Sequence, residues 1–263
     1  MIILPMAGLS RRFADAGYRQ PKYMLPLWGA SLLAHCIESF RSYFGQETFL
    51  FVCQEDSTIR NFIDSTCQEV GLERFDIASV NGPTRGQAET VILGMISKNV
   101  PGDDSLLIFN IDTIRPGLVL PSFVKDSGYD GYLEVFEGLG EGWSFIEPDP
   151  SEPNMVLRTA EKVRISNLCS TGLYYFKTAA DFREAYEKEL AQPSSHELYV
   201  APLYNHLVRD GRKIAYSVID ESQVVFAGTP TEYEATVLME RPDSDDPSLI
   251  KSERSRGSMA QES

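Results

Sequence analysis

Apolar runs alternate with amphipathic runs along the first part of the chain. Four runs rich in aliphatic and aromatic residues have the length of strands, at 2–6, 48–53, 75–80 and 105–111. Apolar residues at helical spacing follow Ser31, Asp56 or Ser57, and Gly86, so a helix is predicted after each of these positions. Repetition of strand, helix and strand favours a mostly parallel sheet, with a ligand site beyond the carboxyl ends of its strands.

The pattern loosens after Pro121. Three shorter strands are predicted to extend the sheet and form one wall of a cleft, at 129–137, 142–149 and 170–177. Two helices, a strand and a last helix follow, at 178–191, at 199–210, at 213–219 and from Thr231. The predicted fold class is α/β, with a Rossmann-like, mixed but mostly parallel sheet flanked by helices. One domain spans 1–240, and the polar segment 241–263, which lacks periodicity, is predicted to be disordered.

Composition and charge narrow the possible functions. With 43% hydrophobic residues among 263, the chain can bury the core of one large α/β domain. Its net charge of −14 argues against nucleic acid and acidic membranes as partners, because both attract a positive surface. No segment has the length of a membrane span or the pattern of a signal peptide, so a cytoplasmic location is expected. The cysteines lack the spacing of a zinc site.

The loop after the first predicted strand, AGLSRRFADAGYRQPKYMLPL, is basic in this acidic chain. Ala7 and Gly8 let the backbone approach a ligand and point N–H groups at it. The same loop carries the cations Arg11, Arg12, Arg19 and Lys22. Because guanidinium groups donate in pairs to phosphate oxygens, the loop predicts a polyphosphate site. The chain contains neither GxxxxGK[ST] nor GxGxxG, which argues against P-loop kinases and dinucleotide-binding enzymes.

This loop resembles the signature G-x-G-T-R-x...P-K of the sugar-phosphate nucleotidyltransferases, a family that includes the cytidylyltransferases. The matching residues are Gly8, Arg12, Pro21 and Lys22, and the departures are Ala7, Ser10 and Arg11. The resemblance extends more weakly to about residue 240. It implies that Arg12 binds the triphosphate and stabilises the charge on the α-phosphorus as pyrophosphate leaves. It also implies that Lys22 contacts the phosphates from the opposite side.

A single carboxylate marks the end of the strand predicted to be central. Asp112 follows the apolar run SLLIFNI, where it can hold Mg²⁺ through one oxygen or cap the turn before Pro116. The resemblance implies that Asp112 is the metal ligand and Mg²⁺ the cofactor. The family has a second Asp two positions before a GTP tripeptide, but Phe226 holds that position here. Asp220 and Glu221 are both open as the second ligand.

The base and the acceptor are expected to bind elsewhere. The segment GPTRGQAETVILG resembles the base-binding turn of the family, so Gly86 and Gln87 are predicted to contact the base, with Arg85 as an additional candidate. Gln87 can equally face water. On the acceptor side, Lys162 resembles the lysine of a family E-K-P element and is predicted to contact the acceptor phosphate, and Glu161 is predicted to bind a hydroxyl or amine. Trp143 is predicted to form a wall of the pocket, and Glu197 to cap a helix or bind the acceptor.

The sequence therefore predicts a nucleotidyltransferase that joins an NTP-derived group, CMP for preference, to a small phosphorylated acceptor with release of pyrophosphate. Uridylyl, thymidylyl and guanylyl transfer to a sugar 1-phosphate remain alternatives, and a homo-oligomer is open. The segment HELYVAPLYNHLVRDG resembles capsule-associated enzymes of this type, which implies a role in surface-polysaccharide assembly. A glycosyltransferase would carry a D-x-D motif and no basic P-K loop. A degenerate nucleotide-binding regulator is the non-enzymatic alternative, and Phe226 is the evidence for it.

Overall fold

The structure is a computed structural model that describes residues 1–125 and 128–241. The tail predicted to be disordered lies, from residue 242 onward, outside the described residues. The strands are β1 (Ile2–Pro5), β2 (Pro26–Leu27), β3 (Ala30–Ser31), β4 (Phe49–Gln54), β5 (Phe75–Val80), β6 (Leu106–Phe109), β7 (Thr113–Ile114), β8 (Gly131–Glu137), β9 (Ser144–Pro148), β10 (Val156–Glu161), β11 (Leu168–Phe176), β12 (Ile214–Ile219) and β13 (Val225–Phe226). The helices are α1 (Arg11–Asp15), α2 (Leu32–Glu38), α3 (Ser57–Val70), α4 (Gln87–Ser97), α5 (Ser122–Lys125), α6 (Ala179–Ala191), α7 (Tyr204–Arg209) and α8 (Pro230–Val237).

One nine-stranded sheet organises the fold. Its first half is parallel, in the order β5-β4-β1-β6. Beyond β6, strand β11 runs antiparallel and pairs with β8 and β9, which carry β12 and β10 on their far sides. The α/β class, with a mixed and mostly parallel sheet flanked by helices, is therefore confirmed.

Alternation along the strands divides the core between the two faces of the sheet. In β1, Ile2 and Leu4 pack into one apolar cluster, whereas Ile3 packs into another. Successive side chains of a strand point to opposite faces, so a strand that is apolar throughout needs cover on both. Helices α2 and α3 supply residues to the first cluster, and α4 and α6 supply residues to the second.

Local signals in the sequence set the ends of most helices. Asp56 accepts a hydrogen bond from the Thr58 amide at 2.7 Å, and Gly71, with φ of 74°, ends α3. The helix predicted from Ser31 ends at Glu38, where a 3₁₀ turn replaces its last part. The helix predicted over 199–210 is likewise a 3₁₀ turn followed by α7. None of the helices in the described part of the chain has the length and apolar character needed to span a bilayer.

The second half differs from the prediction in one strand. Strand β11 was predicted as one of several short strands, but it has nine residues and lies beside β6, where its residues are almost all buried. Its ladder to β8 shifts between Ser170 and Tyr174. Gly172 lies in that irregularity with φ of 91°, where a side chain would be strained and would collide with Asn110.

Candidate active site

A cavity of about 1120 Å³ opens at the carboxyl ends of β1 and β6. Residues 7–13, which follow β1, and residues 110–113, which follow β6, form part of its wall. The cavity brings together most of the site residues named from the sequence, namely Ala7, Gly8, Arg12, Lys22, Gly86, Gln87, Asp112, Trp143, Glu161, Lys162 and Glu197. Ligands of open α/β sheets bind outside the carboxyl ends of the strands, which is where this cavity lies.

The loop after β1 holds two arginines at the cavity. Ser10 has a left-handed φ of 47°, and α1 begins directly after it. Phe13 on this helix is buried, with its ring centroid 6.1 Å from that of Tyr233 on α8. With Phe13 turned into the protein, Arg11 and Arg12 are exposed and line the cavity.

The start of the same loop is open. A Cβ added to Gly8 would meet no protein atom within 4 Å, so the space beside this residue is available to a ligand. The Ala7 carbonyl accepts a hydrogen bond from Gln54 Nε2 at 2.7 Å, which anchors the loop to β4. Arg19 does not line the cavity, contrary to the prediction that it contributes charge there. Between α1 and Arg19 the chain turns at Gly17, where φ is 92°.

An ion pair joins the loop after β1 to the loop after β6. Lys22 Nζ contacts Asp112 Oδ2, and the two side chains are 22% and 18% exposed. The Lys22 amide donates to Ser10 Oγ at 3.3 Å, and the Ala227 amide donates to the Asp112 carbonyl at 2.9 Å. Both partners are thus fixed from the backbone, and the pair lies within the cavity wall.

The turn before α4 is packed tightly against a distant segment. Gly86 has φ of 150°, and a Cβ on it would lie 2.5 Å from the carbonyl oxygen of Leu198. Leu198 accepts from the Ala88 amide and donates to the Arg85 carbonyl, both at 2.9 Å. Gly86 is therefore required by this close backbone approach, and the segment that carries Glu197 is bonded directly to the turn.

Gln87, at the start of α4, is half-buried and does not simply face water. Its Nε2 donates to Asn110 Oδ1 at 2.6 Å, which joins α4 to the end of β6. Arg85, the additional candidate, is exposed and forms an ion pair with Glu89. Among these residues, Gln87 therefore has the side chain whose position is best fixed.

The part of the cavity beside β9 and β10, where the acceptor is predicted to bind, holds a lysine and a carboxylate from adjacent positions. Lys162 has a left-handed φ of 54°, and its ammonium donates to Tyr199 Oη at 2.5 Å. Glu161 accepts a hydrogen bond from Ser144 Oγ. Burial raises the pKa of Glu161, and the Ser144 hydrogen bond and the Lys162 charge oppose that rise. Burial likewise raises the pKa of Tyr174, which lines the cavity next to them, to about 12.

Aromatic rings form another part of the cavity wall. The centroid of Trp143 lies 4.6 Å from that of Phe226 and 5.2 Å from that of Phe136. Trp143 and Phe226 are half-buried and line the cavity. Trp143 is therefore part of the pocket wall and of a small aromatic cluster at once.

No family model matches the chain, and no curated protein sequence is similar to it. Among solved structures, it is 43% identical to the nucleoside-diphosphate-sugar pyrophosphorylase from Vibrio cholerae RC9, with a TM-score of 0.86. The match covers 91% of this chain and 100% of the other. The chain belongs to the nucleoside-diphosphate-sugar pyrophosphorylase family. Members of this family are nucleotidyltransferases, so the enzyme class predicted from the sequence is confirmed.

More distant members of the fold share the architecture alone. The inositol-1-phosphate CTP transferase from T. maritima is 15% identical, with a TM-score of 0.70 and 96% of each chain covered. A UDP-glucose pyrophosphorylase from Acinetobacter baumannii is 17% identical, with a TM-score of 0.65, and the match covers 90% of this chain and 91% of the other. Proteins named for different nucleotides thus share this fold.

The donor set around Asp112 suits an ion that takes most of its ligands from elsewhere. The described residues contain no group of three His, Cys, Asp or Glu side chains that could hold a metal by themselves. Mg²⁺ is commonly held by one or two carboxylates together with waters and substrate phosphates, so Asp112 is compatible with it. Of the acids left open as second ligand, Asp220 and Glu221 do not line the cavity. Asp220 instead caps a 3₁₀ turn, where it accepts from the Ser222 amide at 2.8 Å.

Sequence reasoning missed Glu232, which lines the cavity from α8. Its Oε2 lies 3.5 Å from the place where a Cβ of Gly228 would be, and Asp112 Oδ2 lies 2.8 Å from the same place. The only sequence signal at Glu232 is the pattern T-x-x-E from Thr229 to Glu232, directly after Gly228, and this pattern is typical of a capping box. That pattern describes a helix start and gives no indication that the glutamate is near Asp112.

Proposed function

We propose that this chain transfers a nucleotidyl group from an NTP, CTP for preference, to a small phosphorylated acceptor and releases pyrophosphate. The observation that carries the proposal is that Arg12, Lys22 and Asp112, from two loops, line one cavity beside the open backbone at Gly8. Two cations and one carboxylate at the mouth of an α/β sheet suit a triphosphate with its metal ion.

The proposed reaction is a direct in-line displacement. An oxygen of the acceptor phosphate attacks the α-phosphorus of the NTP and forms a new P–O bond. The bond from that phosphorus to the bridging oxygen breaks, and pyrophosphate leaves with the electron pair. A phosphate monoester is largely ionised at neutral pH, so no general base is needed, and positioning and charge stabilisation are the contributions of the protein.

Each charged residue has a role in that displacement. Arg12, exposed at the cavity, donates to the phosphates and stabilises the charge that develops on them. Lys22 neutralises the phosphates from the side of the β6 loop. Asp112 would hold Mg²⁺, which when bound neutralises phosphate charge and orients the triphosphate.

The preference for CTP rests on the short chain and on the opening Ala7-Gly8, which resemble the cytidylyltransferases, and Gln87 is proposed to contact the base. Because Gln87 Nε2 donates to Asn110 Oδ1 at 2.6 Å, Oε1 of the same amide is the group left to accept from a base. The exocyclic amine of cytosine is a donor, whereas uracil and thymine carry a carbonyl oxygen at that position. Oε1 therefore suits the amine of cytosine, and the second N–H of Nε2 would suit a carbonyl at the same position. Asn110 is the residue that orients Gln87.

The acceptor is proposed to bind on the side of β9 and β10. Lys162 binds its phosphate after exchanging Tyr199 for a phosphate oxygen, Glu161 accepts from a hydroxyl or amine, and Glu197 lies at the rim. Trp143 offers a flat apolar wall to a ring or chain. The V. cholerae relative is named a nucleoside-diphosphate-sugar pyrophosphorylase, which favours a sugar phosphate. The cytoplasm and surface-polysaccharide assembly remain the proposed setting.

The deciding experiment measures pyrophosphate release. Purified protein is incubated with Mg²⁺, with CTP, UTP, dTTP, GTP or ATP, and with a panel of sugar 1-phosphates and other small phosphate monoesters. We expect release with CTP and one acceptor class, and release slower on the order of a hundredfold with the Asp112→Asn variant. A preference for UTP, dTTP or GTP would replace the cytidylyl proposal by the corresponding one. Tight nucleotide binding without release for any pair would support a regulatory protein instead.

A further inference from the structure

A small space lies beside Asp112 because residue 228 has no side chain. A Cβ on Gly228 would lie 2.8 Å from Asp112 Oδ2 and 3.5 Å from Glu232 Oε2. Gly228 does not have a positive φ, so its backbone conformation would allow other residues. The absence of a side chain therefore matters for the space between the two carboxylates.

Glu232 is held in place at that space by its own helix. Its Oε2 accepts from the Thr229 amide at 2.9 Å, and its amide donates to Thr229 Oγ1 at 3.2 Å, which completes a capping box. Within the described part of the chain, no donor is hydrogen-bonded to its other oxygen, Oε1. One carboxylate oxygen thus fixes the side chain, and the second is available to a ligand.

Among the acids that line the cavity in the described part of the chain, Asp112 and Glu232 supply the three atoms nearest to the place of a Gly228 Cβ. Phe226 provides no ligand, and its ring is packed against Trp143 with centroids 4.6 Å apart. Glu161, which also lines the cavity, is hydrogen-bonded to Ser144 on the acceptor side. The second carboxylate found beside Gly228 is therefore that of Glu232, on α8.

We propose that Glu232 is the second carboxylate of the metal site, acting with Asp112 either directly or through a water of the ion. This inference rests on the proposed function, since it assumes that an NTP brings a divalent cation to Asp112. Mg²⁺ retains several waters and accepts carboxylates at such positions. Glu232, at the start of α8, would thereby supply the negative charge of the second metal ligand. Phe226, which holds the family's Asp position on β13, cannot supply it.

The test substitutes Glu232 without removing the cap. Glutamine also serves at this position of a capping box, so Glu232→Gln should fold and keep its helix start. Electron paramagnetic resonance then measures Mn²⁺ binding to the enzyme in the presence of α,β-methylene CTP. We expect Mn²⁺ to bind about tenfold more weakly to the variant, as is typical when a residue supporting a metal site is lost. The matched control is Glu234→Gln, an exposed position on the same helix, which should leave the Mn²⁺ affinity unchanged.

A second variant and a separate measurement keep the outcomes distinct. Adding Phe226→Asp to Glu232→Gln should restore part of the Mn²⁺ affinity, with thermal unfolding as the check on folding. Mn²⁺ affinity of Glu232→Gln within twofold of the unsubstituted enzyme would overturn the inference. Binding of α,β-methylene CTP is measured separately in the presence of EDTA. If the unsubstituted enzyme did not bind the analogue at all, with or without Mn²⁺, the proposed function would fail and this inference with it.

Discussion

Lys22 and Asp112 form an ion pair although they are 90 residues apart in the chain. The ammonium of Lys22 contacts Oδ2 of Asp112, which is also the oxygen that faces the space at Gly228. A divalent cation that binds Asp112 at Oδ2 would therefore replace this ammonium. In the free enzyme, Lys22 neutralises the carboxylate, and with nucleotide and metal bound the same ammonium becomes available to the phosphates.

Replacing Lys22 by methionine should separate these two roles. Without the competing ammonium, Asp112 should bind Mn²⁺ more tightly in the absence of nucleotide, by about fivefold for a partly exposed pair worth about 1 kcal/mol. Nucleotidyl transfer should nevertheless fall, because the phosphates lose a cation. Electron paramagnetic resonance of Mn²⁺ with the free enzyme checks the first effect. Lys162→Met is the control, since Lys162 is bonded to a tyrosine hydroxyl. Equal Mn²⁺ affinity in all three proteins would contradict the exchange.

The second prediction concerns Arg12 and Asp112 in catalysis. Arg12→Ala and Asp112→Asn should each lower kcat for pyrophosphate release on the order of a hundredfold, the effect of losing one electrostatic stabiliser. Arg19→Ala is the matched control, because it removes the same charge from the same loop outside the cavity. Its rate should stay close to that of the unsubstituted enzyme. Near-normal rates for both Arg12→Ala and Asp112→Asn would remove the basis of the site assignment.

Local patterns were sufficient to predict the first half of the fold. The strands β1, β4, β5 and β6 and the ends of α3 follow from apolar runs and from the caps Asp56 and Gly71, which act within a few residues. The central position of β11 is different. Its neighbours β6 and β8 are set by pairing between distant segments, and Gly172 bends it around Asn110. Such contacts leave little trace in local periodicity.

The candidate site divides in the same way. Arg12, Lys22 and Asp112 could be chosen from residue chemistry at strand ends and from the family signature. The ion pair between Lys22 and Asp112 could not, because two loops must fold before their side chains meet. Glu232 was hidden for another reason. Its capping role accounts fully for the sequence pattern. Its position near Asp112 becomes visible only in the structure, where both carboxylates lie close to Gly228.

Two glycines of the cavity should respond differently to alanine. At Gly86 the new Cβ would lie 2.5 Å from the Leu198 carbonyl oxygen, and φ is 150°, so Gly86→Ala should destabilise the fold by roughly 1–3 kcal/mol. At Gly8 the new Cβ meets no protein atom within 4 Å. Gly8→Ala should therefore unfold at the same temperature as the unsubstituted protein but show a higher KM for the NTP.

Thermal unfolding and NTP kinetics of both variants check this contrast. Each variant serves as the control for the other, because both add one methyl group to a cavity residue. A loss of thermal stability in Gly8→Ala would show that the space beside Gly8 is needed by the protein and not by a ligand. Unchanged stability in Gly86→Ala would contradict the close approach of Leu198.

The last prediction links acceptor binding to stability through Glu161. Burial raises the pKa of Glu161 above its ordinary value of 4.5, although Ser144 and Lys162 oppose the rise. A raised folded-state pKa means that the ionised carboxylate costs stability above that pKa, and that the cost disappears as the pH falls below the ordinary value. The ionised Glu161 carboxylate thus lowers the stability of the folded protein at neutral pH. This is expected if a hydroxyl or amine of the acceptor supplies an additional hydrogen bond to it.

Glu161→Gln should therefore raise the melting temperature at pH 8, and the difference from the unsubstituted protein should shrink as the pH is lowered towards 4.5. The amide keeps the shape and one acceptor for Ser144 while it removes the charge. Thermal unfolding from pH 8 to pH 4 measures the difference, and Glu137→Gln, at the exposed end of β8, is the control for removing a carboxylate. Nucleotidyl transfer should fall in Glu161→Gln alone. A difference in melting temperature that widened with acid would mean that the carboxylate stabilises the fold, which would remove the argument that it awaits a hydroxyl or amine of the acceptor.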